Sequence, residues 1–207
     1  MNGVRIKLCG VRNSRDAVFC AEAGADEIGV VFAPQSRRCV SVDAAREIRS
    51  ALPAHVPLVG VFQDADLGEA LRIAGQVGLA AVQLHGALPH PESTLPLYAA
   101  VQVDEEPALA SLSALRGFRR LLLDGPAGGG GGVSFAWSLA RKVRAVVDAE
   151  VFVAGGLTPA NVGEAIHAAR PDGVDVASGI EGRDGFKDRD RVRAFVQAAR
   201  AAAARIP

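Results

Sequence analysis

"VRIKLCGVRNSRDAVFCAEAG", residues 4–24, holds one complete structural unit. It opens on an alternating run, so Ile6 and Leu8 share one face of a strand while Lys7 and Cys9 share the other. Gly10 ends the strand at once. Ser14 stands where it can cap the helix "RDAVFCAEAG", and Gly24 where it can end it. A strand, a turn and a short helix take about 24 residues. Strand starts recur at that interval, near Val4, Glu27, Pro57, Ala81, Tyr98, Arg119, Val151 and Gly173.

Strict strand–helix alternation requires a parallel sheet. Eight equal units in one chain match the closed barrel count rather than an open doubly wound sheet. The expected fold is therefore a single (β/α)8 TIM barrel over residues 1–207, with short loops. "VSVDAAREIRSAL" and "DLGEALRIAGQVG" read as further helices. In "KDRDRVRAFVQAARAAAARI", Val192, Phe195, Val196 and Ala199 fall on one helical face. The fourth unit is the weakest, because "HPESTLPL" contains two prolines and has room for about one helical turn.

Composition narrows the partners. The chain has 23 basic and 23 acidic residues, so no basic excess invites nucleic acid or an acidic membrane surface. Aromatic residues are only 5%, which gives base stacking no support. No apolar run reaches the roughly 18 residues of a membrane span. Cys9, Cys20 and Cys39 are odd in number, and no signal peptide stands ahead of the first strand. The expectation is a cytoplasmic domain with free thiols and neither nucleic-acid nor membrane partners.

Chemistry in such barrels sits at the carboxyl ends of the strands. Polar residues and glycines gather there: Cys9-Gly10, "PQSRR", "QLHG", "LLLDG" with the following "PAGGGGG", "AGGLT" and "ASGIE". The amino ends are expected to show no such accumulation. Glycine turns that feed helices expose backbone N–H groups and bind phosphate. Three lie at neighbouring corners: Gly129 to Gly132, Gly155-Gly156, and Ser178-Gly179. Asp124 shares a strand face with Leu122, so its carboxyl should look into the mouth while Leu121 and Leu123 turn to the helices. An acid and a base on the walls of one phosphate pocket suggest proton shuttling on a sugar phosphate. Cys20 reads as a buried helix residue and Cys39 as a loop residue near the mouth. Cys9 differs because Lys7 lies below it, and an ammonium and a helix N-terminus both favour thiolate. Strand 8 closes on strand 1, which places Asp175 to pair with Lys7 beneath the site. The alternative for Lys7 is a purely stabilising interior role.

Taken together these motifs resemble phosphoribosylanthranilate isomerase, a tryptophan-pathway enzyme that performs an Amadori rearrangement. The resemblance spans nearly the whole chain: Lys7-Leu8-Cys9-Gly10, "GVVFAPQSRRCV", "VGVF", "VQLHG", "LLLD", "AGGLTPANV" and "DVASGIEGRDGFKD". It implies Asp124 as general acid on the furanose ring oxygen and Cys9 as general base at C2′. It also implies Arg38 at the anthranilate end, with Lys7, Gln83, His85 and Asp175 as further substrate-binding residues. The phosphate would lie on Gly129, Gly130, Gly131, Gly132, Gly155, Gly156, Ser178 and Gly179. No metal or other cofactor is implied, the partner is a phosphorylated small molecule, and the assembly is a monomer or homodimer. The family's loop hydroxyl is replaced by Gly131, the aspartate of its F-D-W by Ala136, and an aromatic after the loop arginine by Cys39. Two other readings compete. A related histidine-pathway aminoaldose isomerase would carry aspartate at the first-strand position, and Cys9 argues against it. An inactive barrel serving as a phosphate-ligand sensor or scaffold is opposed by Cys9, Asp124 and Arg38 occurring together.

Overall fold

The apolar runs pair in chain order, and in the computed structural model they close into one barrel of eight parallel strands. The structure describes residues 3–88, 92–102, 115–125 and 132–206. The strands are β1 (Arg5–Leu8), β2 (Glu27–Val31), β3 (Leu58–Gln63), β4 (Ala81–His85), β5 (Leu97–Gln102), β6 (Arg120–Asp124), β7 (Glu150–Ala154) and β8 (Gly173–Val176). Each begins within one residue of its expected start. The ring closes where β1 pairs with β8, in a register that sets Lys7 beside Asp175.

Helices α1 (Ser14–Glu22), α2 (Val42–Ala51), α3 (Leu67–Val77), α4 (Gly132–Arg144), α5 (Val162–Ala169) and α6 (Arg189–Ala203) surround the barrel. Their ends follow local chemistry. The α1 cap is Asn13 rather than Ser14: its side-chain oxygen accepts from the Asp16 N–H at 2.8 Å. Its backbone is extended, whereas Ser14 already lies in the helix. Asp66 caps α3, and Gly78, at φ +76°, ends it in the left-handed region. Residues 92–96 form no helix between β4 and β5; Pro96 keeps Leu95 out of the helical conformation. The glycines Gly129, Gly130 and Gly131 lie outside the described residues, and Gly132 begins α4.

Two apolar layers hold the barrel. Leu121, Leu123, Val151 and Val153 face outward against the helices, where Val192, Phe195, Val196 and Ala199 of α6 meet them in one core. Val59, Ala81, Tyr98, Ala100, Leu122 and Phe152 fill the interior. The amino end departs from expectation, because the first residues of four strands form a charge cluster in which Arg120 and Glu27 are buried and Arg5 and Glu150 only partly so. Arg120 is fully buried, and its guanidinium donates to both oxygens of Glu27 at 2.6 Å and to Glu150 at 3.1 Å. Arg5 also donates to Glu150. Tyr98 and Phe152 face the Arg120 guanidinium at 4.0 Å and 3.7 Å. A buried charge persists only when paired; one partner of Arg120 is its register neighbour Glu150 on β7, and the other, Glu27, comes from β2 across the barrel. Among the described residues no helix is long and apolar enough to cross a membrane.

Candidate active site

The strand carboxyl ends surround a cavity of about 320 Å³. Cys9 from the end of β1 and Asp124 from β6 both line it, with β7 and β8 standing between them in the ring. Apolar side chains make up much of the wall, among them Val31, Ala33, Val61, Ala100 and Leu122. Such a wall excludes water and suits an aromatic ring.

Of the expected residues, Gly129, Gly130 and Gly131 lie outside the described ones, and the rest have a definite place. Arg38, Gln83, His85, Asp175, Gly155, Gly156 and Ser178 all line the cavity. Lys7 does not. It is fully buried one layer down, donating to Asp175 Oδ1 at 2.9 Å. Its place is thus beneath the cavity rather than on its wall, in the ion pair with Asp175 expected there. Gly179 is also absent from the lining, since its Cα packs against the Leu157 carbonyl, where a Cβ would overlap. Cys39 is exposed and lies outside the cavity.

Glycine makes room for the thiol. A Cβ on Gly29 of β2 would stand 2.7 Å from Cys9 Sγ and 3.2 Å from Lys7 Nζ. Sulfur and ammonium therefore share one small space beside a bare strand. The expectation of a resident thiolate needs correction, because burial pushes the Cys9 thiol above its ordinary value against the opposing pull of Lys7. Burial also works against the Lys7 ammonium, but Asp175 and Cys9 outweigh it and hold the pKa up. Burial, with Asp175 behind it, pushes the Asp124 carboxyl up to about 6. The carboxyl thus holds its proton to a higher pH than an ordinary carboxylate, up to about 6. The side chain of Asp124 packs against Gly155, whose absent Cβ would lie 2.6 Å from Oδ1.

Gln83 is buried, and its amide nitrogen lies 2.8 Å from His85 Nε2. With the amide as donor, His85 Nε2 accepts and the ring proton sits on Nδ1. Burial and then Lys7 depress the His85 pKa, which favours the neutral ring. The Gln83 side-chain oxygen has no partner among the described residues and is available to a hydroxyl or amine. Gly155 and Gly156 adopt φ +79° and +62°, a left-handed pair that turns the backbone after β7. Asn161 fixes this loop, accepting from the Thr158 N–H at 2.7 Å and donating to the Gly156 carbonyl at 3.0 Å.

Glu181 and Lys187 carry more of the site than their motif revealed. Arg38 donates to Glu181 through Nε at 2.5 Å and Nη2 at 2.9 Å, while Lys187 Nζ reaches the same carboxylate at 3.2 Å. The only sequence signal was their presence in "SGIEGRDGFKD", which named no function for either. Ser36, which belongs to the "PQSRR" stretch, also lines the cavity, as does Gln63, which carried no sequence signal.

Comparisons with known proteins agree with this geometry. Residues 6–198 match the family model described as N-(5'phosphoribosyl)anthranilate (PRA) isomerase. A Myxococcus xanthus protein named N-(5'-phosphoribosyl)anthranilate isomerase is 42% identical over 206 residues, covering 95% of this chain and 96% of its own. The crystal structure of a phosphoribosyl anthranilate isomerase from Thermotoga maritima superposes with a TM-score of 0.86 at 39% identity, covering 96% of this chain and 99% of that one. A second solved structure holds reduced 1-(o-carboxyphenylamino)-1-deoxyribulose 5-phosphate; its TM-score is 0.84 at 37% identity, with the same coverage.

Proposed function

Because this chain belongs to the N-(5'-phosphoribosyl)anthranilate isomerase family, we propose that Asp124 and Cys9 are the acid and base of its reaction. The reaction is the Amadori rearrangement of tryptophan biosynthesis. It converts N-(5'-phosphoribosyl)anthranilate to 1-(2-carboxyphenylamino)-1-deoxyribulose 5-phosphate.

Asp124 donates its proton to the furanose ring oxygen as the C1′–O bond breaks, and the anthranilate nitrogen's lone pair completes an iminium. Cys9, once ionised, removes the C2′ proton, and the electron pair moves to give an enolamine. Transfer of the C2′ hydroxyl proton and protonation at C1′ yield the ketose, so the net change is an isomerisation. The observation that carries this assignment is one cavity lined by both groups, with the carboxyl at about 6. The apolar wall supports placing the aromatic ring on the β2–β3 side, with its carboxylate on Arg38. The Gly155-Gly156 turn and Ser178 support a phosphate at the β7–β8 corner. The three free thiols support a reducing compartment, the cytoplasm.

The test is steady-state turnover of Cys9→Ala and Asp124→Ala, followed by the loss of substrate fluorescence. General acids and bases contribute roughly 10²–10⁴-fold, and each variant is expected to lose activity in that range with its circular dichroism intact. Turnover within about threefold of the parent in either variant would remove that residue's role.

A further inference from the structure

Glu181 is buried behind the cavity wall and does not line it. Its carboxylate nonetheless governs a residue that does. Arg38 Nε and Nη2 both donate to it, and Arg37 Nη2 joins at 2.8 Å. Lys187, itself buried, donates to Glu181 and at 3.0 Å to the Ala177 carbonyl. Arg191 donates to the Glu181 backbone carbonyl at 2.8 Å. The carboxylate is therefore fixed before Arg38 meets it.

The Arg38 stem is equally constrained. It lies across Gly10, whose φ is +73°, and a Cβ there would overlap the Arg38 side chain and stand 3.2 Å from its Nε. Arginine carries five N–H donors in a planar fork. Glu181 occupies the side edge, formed by Nε and Nη2. Among the described residues Nη1 has no partner, which leaves the end edge, Nη1 with the second Nη2 hydrogen, to take a carboxylate in bidentate fashion.

We propose that Glu181 is a positioning residue that pre-sets the Arg38 guanidinium at the cavity mouth, its end edge turned to the anthranilate carboxylate. The inference rests on the reading of Arg38 given above and adds how that arginine is held. Three cations around one carboxylate leave the corner positive, so Glu181 orients Arg38 without cancelling its attraction for an anion. An unheld arginine would lose side-chain freedom on binding each substrate molecule, and Glu181 removes that cost in advance. The carboxylate of the substrate lies away from the bonds that change, so the loss should fall on KM and spare kcat.

A double-mutant cycle tests this with N-(5'-phosphoribosyl)anthranilate as substrate. Arg38→Ala should raise KM by roughly tenfold to a hundredfold, the scale of a hydrogen bond to a charged group. Glu181→Gln should raise KM by about tenfold with kcat within about threefold, and should add nothing in the Arg38→Ala background. A Glu181→Gln effect that multiplies with that of Arg38→Ala would overturn the proposal, because Glu181 would then act by another route. A raised KM in Arg38→Ala alone would also overturn it, while an unchanged KM in Arg38→Ala would remove the underlying reading of Arg38. If burying Lys187 beside an amide unfolds the protein, Glu181→Asp keeps the charge, shortens the reach and is run through the same cycle with the same criteria.

Discussion

Lys7 and Cys9 show how two neighbouring groups divide a task. The ammonium does not line the cavity, yet it lies beside the thiol from below. In the proposed mechanism Asp124 must be protonated, and its carboxyl sits at about 6; Cys9 must be ionised, and burial pushes its thiol above the ordinary range. The working form, a protonated acid with an ionised base, is therefore a minority at every pH. Below the carboxyl pKa, kcat/KM rises with the thiolate fraction. Between the two pKa values the gain in thiolate and the loss of acid cancel, and above the thiol pKa the rate falls with the acid. Lys7→Met should push the thiol pKa higher, which lowers the plateau several-fold and moves the alkaline break to higher pH. Measuring kcat/KM against pH checks it: a lower plateau with an unmoved break would make Lys7 structural only. The pairing of Lys7 with Asp175 was legible because strand parity and barrel closure decide it. The balance at Cys9 was not, because burial is a property of the assembled mouth and opposes the local charge.

At the level of the strand, bare positions decide what the neighbouring strand can carry. Gly29 in β2 leaves space for the Cys9 sulfur, whereas Gly173 in β8 lies under the Phe152 ring, whose carbons would stand 2.5 Å from an added Cβ. The same substitution should have opposite signatures. Gly29→Ala is expected to displace the thiol and lower kcat at least about tenfold with a small change in Tm. Gly173→Ala should overpack the interior by about 1–3 kcal/mol and leave kcat within about twofold. Thermal melting and turnover of both variants check the pair, and interchanged signatures would refute the layer assignment. Strands were readable because their apolar runs recur at a fixed spacing, and α6 because its apolar face repeats. The β4–β5 connection was harder to read, since prolines weaken the helical pattern without saying what replaces it. Glu181 was missed for a different reason: its partners Arg37 and Arg38 are more than a hundred positions away, and no local pattern pairs them.

Across the whole molecule, the two ends of the barrel carry different kinds of buried charge. The mouth holds Cys9 and Asp124, the proposed base and acid, while the amino end holds Arg120 locked between Glu27, Glu150 and two aromatic rings. Glu27→Met should cost about 3–5 kcal/mol by leaving Arg120 short of a partner. At that scale Tm falls by about 2–4 °C per kcal/mol. Burial opposes the Glu27 charge, but Arg120 overcomes it and holds the carboxyl below its ordinary range. The stability from this pair is thus present above the ordinary carboxylate pKa and is lost as pH falls through the depressed one. The variant's kcat/KM, measured well below its Tm, should stay within about twofold of the parent, because the Tyr98, Leu122 and Phe152 layer separates the ends. A parallel loss of kcat/KM in folded protein would show the ends to be coupled. The burial of the lysines has a practical consequence. Of the chain's three, Lys142 is exposed, Lys187 is buried behind the mouth and Lys7 at the barrel's centre. An amine-acylating reagent read out by peptide mass should therefore act as a depth gauge, marking Lys142 in the native state, Lys187 when the mouth loosens, and Lys7 only when the ring of strands comes apart.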